Sequence, residues 1–142
     1  MARALVDATV VIAFADTDDE DHDRGEEIVR AIDHGELVTG AIVHDALLEV
    51  LNFVNERLGH RKAVHLLDRL EESAHYRLPY NPKGNVGSGR GLFRQFPALS
   101  LGDAMQVAFM RSEGLEYIYS FDDDFDTVDG VTRLNTATDP FA

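Results

Sequence analysis

Residues 4–14 read ALVDATVVIAF and place one aspartate, Asp7, between two apolar runs. The run Ala4 to Val6 predicts a short buried strand, because unbroken apolar residues are typical of strands covered on both faces. In parallel α/β sheets, ligand sites form beyond the carboxyl ends of the strands. The stretch therefore predicts a buried strand that delivers Asp7 to the functional edge of a sheet.

Outward from this stretch, segments typical of strands and of helices alternate along the chain. Further strands are predicted at 36–40, 74–80, 115–120 and 130–135, and helices are predicted up to residue 34 and at 41–58, 61–72 and 100–114. Ser100 is the expected N-cap of the last helix and Gly114 its terminator. The glycine-rich segment 81–91 predicts a mobile loop. This alternation predicts one α/β domain over residues 1–142, with a mostly parallel sheet covered by helices on both faces.

Composition narrows the possible functions. The chain has no cysteine, which excludes disulfides and thiolate metal sites. Its 26 acidic and 13 basic residues give a net charge of −13, which argues against a general nucleic-acid coat protein. No apolar run is long enough to span a membrane, so we expect a soluble protein of the cytoplasm. An acidic surface stays hydrated at high salt, and adaptation to a salty cytoplasm is a further hypothesis.

Four carboxylates from separate segments are predicted to meet at one edge of the sheet. Asp7 and Asp122 each follow a predicted strand, Asp103 lies in the first turn of a helix, and Glu49 lies beside the apolar stripe of another. Four converging negative charges repel one another unless a cation lies between them. Hard cations such as Mg²⁺ and Mn²⁺ prefer oxygen ligands, so the sequence predicts a site for one of them.

Each acid also has a plain structural interpretation, because clusters of acids arise by chance in so acidic a chain. Asp103 could be the third-position partner of the Ser100 cap. Glu49 could belong to a solvated helix face, and Asp122 to an acidic surface turn. An EF-hand loop beginning at Asp122 is excluded, because Thr127 and Arg133 stand where that loop needs glycine and glutamate.

The order of these motifs resembles a known family. Asp7-Ala8-Thr9 after the first strand, Glu49 within LLEVLNFVNERLGH (47–60), LSLGDA (99–104) and YIYSFDDDF (117–125) together resemble a PIN domain. The most similar subset is the VapC-type toxin ribonucleases of toxin–antitoxin modules, and the resemblance covers a core of about residues 3–134. It implies a three-layer sandwich, with a mostly parallel sheet between helices and an acidic metal site at one end.

The resemblance also implies roles for individual residues. Asp7, Glu49, Asp103 and Asp122 match the catalytic acids, with Asp7, Asp103 and Asp122 as metal ligands that Glu49 and Asp124 support. Thr9 and Ser120 match hydroxyl positions that line the site, whereas Asp123 and Asp126 are expected to be solvated. Lys83, Arg90 and Arg94 are candidate substrate-binding residues, which could steer phosphates or simply balance charge.

The expected activity is a hydrolase reaction, Mg²⁺- or Mn²⁺-dependent cleavage of RNA by an endoribonuclease. As in the family, a metal-activated water would attack phosphorus and leave 5′-phosphate and 3′-hydroxyl ends. The expected partners are an RNA substrate, a cognate antitoxin protein and a second copy of the chain in a homodimer. The alternative is a PIN-like metal- or partner-binding module with little or no nuclease activity.

Overall fold

The first predicted strand lies at the centre of a five-stranded sheet in the computed structural model, which describes residues 2–142. Strand β1 (Arg3–Val6) pairs in parallel with β2 (Thr39–Ala41) on one side and with β4 (Tyr117–Tyr119) on the other. Strands β3 (Tyr76–Arg77) and β5 (Thr132–Leu134) form the two edges, also in parallel. The order β3-β2-β1-β4-β5 therefore brings every carboxyl end to one edge.

Helices cover the sheet and supply most of the remaining core. They are α1 (Ala8–Ala15), α2 (His22–Asp33), α3 (His44–Leu58), α4 (His60–Glu72), α5 (Gly84–Gln95), α6 (Leu101–Glu113) and a 3₁₀ helix (Asp123–Thr127). Helix α1 packs against α2 and α3, and α6 packs against α5 and α3. The predicted three-layer α/β sandwich with a parallel sheet is confirmed. None of the helices within residues 2–142 is long and apolar enough to cross a membrane.

Helix α6 is bounded by the two residues predicted for it. The Ser100 side chain accepts a hydrogen bond from the backbone N–H of Asp103 at 3.1 Å, which satisfies a donor of the first turn. Gly114 ends the helix with φ of 67°, a left-handed conformation that glycine adopts at low cost. These caps fix where the helix begins, and therefore where Asp103 lies.

Several predicted boundaries move in the structure. The second strand lies at 39–41 and not 36–40, the helix predicted from residue 41 begins at His44, and the strand predicted at 74–80 has only two residues. The apolar run that follows Asp7 forms helix α1. Short strands shift because their ends depend on pairing with neighbours in the sheet, which a single segment does not specify.

The prediction of a mobile loop at 81–91 is wrong, because most of this segment belongs to α5. Tertiary packing against α6 overrides the low helix propensity of its glycines. At Gly89 any Cβ atom would collide with the Met105 side chain, so glycine allows the two helices to approach closely. Asn85 is buried between them and donates one hydrogen bond to Ser112 Oγ, at 2.9 Å.

Substitution of two helical glycines by alanine should have opposite effects on stability. At Gly25 in α2, a Cβ atom would lie 2.9 Å from the Cβ of Ala13 and 3.0 Å from backbone atoms of α1. Gly25→Ala should therefore lower the free energy of unfolding by about 1–3 kcal/mol. At Gly87 in α5 nothing lies within 4 Å of such an atom. Gly87→Ala should raise stability by about 0.5–1 kcal/mol through helix propensity alone.

Urea denaturation of the two variants and of the native chain provides the measurement. A Gly25→Ala variant as stable as the native chain would contradict close packing of α1 on α2.

Candidate functional site

Asp7 is a buried carboxylate at the junction of three elements. Its backbone N–H donates to the carbonyl of Tyr119 at 2.9 Å, which continues the pairing of β1 with β4. Only 2% of Asp7 is exposed. Its Oδ2 accepts hydrogen bonds from Thr9 Oγ1 at 2.7 Å and from Ser120 Oγ at 2.8 Å. Its Oδ1 accepts one from Gln106 Nε2 at 2.8 Å. The structure thus brings Thr9 and Ser120, both predicted at the site, into contact with Asp7.

The direction of the two hydroxyl protons follows from their neighbours. The N–H of Phe121 donates to Thr9 Oγ1 at 3.1 Å, and the N–H of Asp122 donates to Ser120 Oγ at 3.0 Å. Each hydroxyl oxygen is therefore already an acceptor for the backbone, and its single proton points to Asp7. This network ties the segment after β4 to the end of β1.

Asp103 and Glu49 lie close enough to Asp7 and Asp122 for the charges of those two residues to affect their pKa values. Burial on α6, and then the negative charge of Asp7, raise the pKa of Asp103 to about 6, although its bond from Ser100 opposes the change. Partial burial, followed by the charges of Asp7 and Asp122, also raises the pKa of Glu49. The charges of Asp7 and Asp122 thus act on both Asp103 and Glu49, and we call these four residues the acidic site.

Asp122 is the N-cap of the 3₁₀ helix and carries two further acids beside it. Its Oδ1 accepts a hydrogen bond from the backbone N–H of Asp124 at 2.9 Å. Carboxylate oxygens of Asp122, Asp123 and Asp124 lie within 4.8 Å of one another. The charge of Asp122 is the main cause that raises the pKa of Asp124. Asp123 is exposed, as predicted from the sequence, but it lies beside Asp122 within this group.

Asp126 is exposed, as the sequence predicts, and it also forms an ion pair. Arg133 on β5 donates to both of its carboxylate oxygens, at 3.1 and 3.0 Å. This pairing lowers the pKa of Asp126. Arg133 also donates to the carbonyl of Ser120 at 3.3 Å. The guanidinium therefore fastens both ends of the segment that presents Asp122.

Of the three predicted substrate-binding cations, Arg90 and Arg94 lie on α5 and Lys83 is its N-cap residue. Lys83, Arg90 and Arg94 are exposed and are spaced seven and four residues apart. This spacing places them on the side opposite the buried residues Asn85 and Gly89. Within residues 2–142 no hydrogen bond or ion pair joins these cations to the acidic site. We call this face the basic stripe.

Gln106 is the residue of the site that the sequence analysis missed. It is 2% exposed on α6, and its Nε2 bonds Asp7 while its Oε1 has no partner among the described residues. A buried carbonyl without a donor costs about 1–3 kcal/mol. The signal was a single amide within the apolar run AMQVAFM (104–110), which gave no hint of its partner in the sequence.

The donor set fits a hard divalent cation. It contains only oxygen ligands, from the four acids of the site with Asp124 beside them, and such ligands suit Mg²⁺ and Mn²⁺. Burial, and then the negative charges of neighbouring acids, raise the pKa of Asp103 and of Glu49 and so disfavour their ionised forms. A bound cation would reverse that effect and favour the ionised carboxylates.

Solved structures with the same fold include toxins of toxin–antitoxin systems. VapC20 of Mycobacterium tuberculosis, a toxin that cleaves the sarcin-ricin loop, is 21% identical, with a TM-score of 0.76 over 89% of this chain and 94% of that chain. VapBC2 of Rickettsia felis, bound to a DNA fragment from its promoter, is 9% identical, with a TM-score of 0.71 over 94% and 98%. A toxin–antitoxin complex from Klebsiella pneumoniae is 17% identical, with a TM-score of 0.66 over 96% and 98%.

At these identities the likeness concerns the fold. No curated protein matches the chain in sequence. The sequence model of the PIN domain, however, matches residues 4–131, which extend from β1 to the residue before β5 and include all four acids. The chain therefore belongs to the PIN domain family.

Proposed function

We propose that this protein is a divalent-metal-dependent endoribonuclease and the toxin of a toxin–antitoxin pair. Asp7, Asp103 and Asp122 would hold Mg²⁺ or Mn²⁺, with Glu49 binding directly or through water and Asp124 in support. The observation that carries the proposal is the buried Asp7 carboxylate at the carboxyl edge of the sheet, which Ser120 links to the segment of Asp122. Burial, followed by the charges of Asp7 and Asp122, raises the pKa of Asp103 and of Glu49, which is costly for a merely structural cluster.

Each residue has a distinct part in the proposed chemistry. A bound divalent ion supplies positive charge that polarises a phosphoryl oxygen and promotes ionisation of an attacking water. Thr9 and Ser120 hold Asp7 in one orientation, and the turn at Asp122 is fixed by its bond from Asp124. Water attack forms one P–O bond and breaks the bond to the 3′ oxygen. The products are therefore 5′-phosphate and 3′-hydroxyl ends, and no 2′-hydroxyl takes part.

The substrate and partner classes rest on the structural relatives. VapC20 is a toxin that cleaves the sarcin-ricin loop, and together with the resemblance to VapC-type ribonucleases this favours RNA as the substrate here. Relatives in toxin–antitoxin complexes favour a cognate antitoxin as the partner, and we expect a homodimer that acts in the cytoplasm.

The net charge of −13 works against RNA binding, so the approach of the substrate needs local positive charge. The basic stripe of Lys83, Arg90 and Arg94 is exposed and free of ion pairs among residues 2–142, and α5, which carries it, packs on the helix of Asp103. We propose that it contacts phosphates along the RNA. A protein of a salty cytoplasm would rely on such contacts less, because salt screens both attraction and repulsion.

The proposal predicts RNA cleavage that requires both metal and Asp103. The purified chain, free of antitoxin, is incubated with a structured RNA pool, with and without Mn²⁺ or Mg²⁺, at low and at multimolar salt. We expect fragments only with metal, and fragments below detection for Asp103→Asn, because one ligand is lost. Sequencing and ligation of the fragment ends test for 5′-phosphates.

The matched control is Asp68→Asn, an exposed acid on α4 whose substitution changes the net charge equally. It should cleave as the native chain does. No cleavage at any salt by a folded, antitoxin-free protein would contradict the nuclease. The alternative, a PIN-like metal- or partner-binding module, would then be the better account.

Repulsion within the acidic site also predicts a dependence of stability on pH. The pKa of Asp103 is about 6 in the folded chain, against about 3.9 for an unperturbed aspartate. The folded state therefore binds this proton more tightly, and stability falls as pH rises from about 4 to 6. Without divalent ions at pH 7, Asp103→Asn should be more stable than the native chain by about 1–2 kcal/mol, since solvent screens part of the repulsion.

This gain should be largely lost near pH 4, where Asp103 is protonated in the folded chain and about half protonated in the unfolded chain. Asp68→Asn should show no such pH dependence. Denaturation curves at pH 4 and 7, with and without Mn²⁺, provide the measurement. Added Mn²⁺ should stabilise the native chain more than the variant. A variant less stable than the native chain at pH 7 without metal would contradict the argument.

A further inference from the structure

Tyr80 is an exposed aromatic side chain on the loop between β3 and α5. Its exposed fraction is 76%, the largest among the exposed large hydrophobic residues within residues 2–142. Among the described residues its one ring contact is with His44, whose ring centroid lies 5.0 Å away with the two planes tilted by 46°. A ring this exposed has at least one face open to solvent, so packing in the core does not account for it.

The backbone on both sides of this ring is anchored to the rest of the fold. The carbonyl of Pro79 accepts a hydrogen bond from the N–H of His44 at 2.9 Å. On the other side, Asn81 Nδ2 donates to Asp45 Oδ2 at 3.1 Å and to the carbonyl of Met105 at 2.9 Å. The ring therefore stands on a fixed backbone, and a ligand that stacks on it need not order the loop first.

The same contacts place the ring at the rim of the acidic site. Asn81 bonds α3 four residues before Glu49, and it bonds α6 two residues after Asp103. Helix α3 follows β2 and α6 precedes β4, so both helices begin at the carboxyl edge of the sheet. Tyr80, next to Asn81 in the chain, therefore lies at the edge that carries the proposed metal site.

Positive charge follows the ring along the chain. Lys83 is exposed at the N-cap of α5, three residues after Tyr80, and it begins the basic stripe. Within the part of the chain that the structure describes, the cations of this stripe form no ion pair. In a chain with a net charge of −13, such unpaired cations beside an open aromatic ring favour a polyanion as the occupant. Proteins that bind single-stranded nucleic acids combine these two features, since bases stack on the rings and cations hold the phosphates.

We propose that Tyr80 is a stacking platform for an unpaired base of the RNA, with Lys83 on an adjoining phosphate. The inference rests on the proposed function and names a residue that holds its substrate. A base inside a duplex has both faces covered by its neighbours, so the platform selects single-stranded segments. Because every base has an aromatic face, this contact does not discriminate between base sequences.

The test measures RNA binding and does not depend on cleavage. Every chain carries Asp103→Asn and is free of antitoxin, Mg²⁺ is present, and a gel verifies that the RNA stays intact. Fluorescence anisotropy follows a short, labelled single-stranded RNA of mixed sequence at low salt. Tyr80→Ala should weaken its binding about 5- to 100-fold, the usual size of one base–aromatic stack. Tyr80→Phe keeps the ring and should bind as the parent chain does.

Two further readouts distinguish stacking from charge. Tyr80→Ala should leave the slope of log affinity against log salt unchanged, whereas Lys83→Ala should make it shallower by about 0.7, the value for one phosphate contact on a single strand. A fully paired RNA duplex should bind Tyr80→Ala and the parent chain equally, because its bases are not available for stacking.

The matched control is Phe141→Ala. Phe141 is also an exposed aromatic residue, 53% exposed, and its ring lies 5.2 Å from that of Tyr117. Tyr117 is the first residue of β4, so this pair lies at the opposite edge of the sheet. Phe141→Ala should leave RNA affinity unchanged. Circular dichroism verifies that each variant is folded, which we expect for side chains this exposed.

An unchanged affinity in Tyr80→Ala, an equal loss in Tyr80→Phe, or a parent chain that does not bind RNA at low salt would each overturn the inference. Light scattering tests the other occupant, a second copy of the chain. A Tyr80→Ala variant that loses a dimer and keeps its RNA affinity would assign this face to contact between copies.

Failure of this inference is distinguishable from failure of the proposed function. Metal-dependent cleavage by the native chain, without any effect of Tyr80 on RNA affinity, would overturn the stacking platform alone. Binding that depends on Tyr80, in a protein whose native chain does not cleave RNA, would contradict the nuclease and leave the RNA site standing.

Discussion

The hydrogen bonds to the Asp7 carboxylate are the constraint on which the rest of the site depends. A buried carboxylate is stable only where donors replace the water it has lost. Here the donors come from the first turn of α1, from the segment after β4 and from α6. The three elements must meet at the end of β1 for Asp7 to be satisfied. The same contacts thereby determine where Asp103 and Asp122 lie, so packing of the core and assembly of the site are one problem.

The negative charges of the acidic site destabilise this arrangement, and the fold accommodates that cost. Burial and the charge of Asp7 raise the pKa of Asp103, and Glu49 responds in the same way. Hydrogen bonding by Ser100 partly opposes the rise in the pKa of Asp103, and Arg133 neutralises Asp126 beside the 3₁₀ helix. A site that repels itself without a counter-ion is arranged for binding at some cost to stability. Binding of the proposed cation would remove this repulsion, so that metal binding and stability would favour the same state.

The net charge of −13 bears on how the proposed RNA substrate would be held. Most of the chain repels RNA, and the basic stripe on α5 is a local exception. Its position on an ordered helix, and not on a mobile loop, means that the three cations keep a fixed spacing. Steering by a few fixed cations weakens with added salt, whereas metal-mediated contact with the cleaved phosphate is less exposed to screening. The relative strength of steering by cations and of metal-mediated contact would determine the salt concentrations at which the proposed cleavage occurs.

Local signals in the sequence were enough to predict the strand before Asp7, the caps of α6 and the alternation of strands with helices that gives a parallel sheet. Apolar runs, N-cap chemistry and a terminal glycine act within a few residues, and each can be read from neighbours along the chain. That Asp7 and Asp122 lie at the same edge of the sheet also followed, because each comes after a parallel strand, whereas Glu49 and Asp103 lie on helices whose approach depends on tertiary packing. Only the tertiary structure decided the helix at Gly84–Gln95, the pairing of Asp126 with Arg133 and the bond from Gln106 to Asp7. These depend on partners distant in sequence or supplied by another element, and packing against α6 outweighs the low helix propensity of glycine.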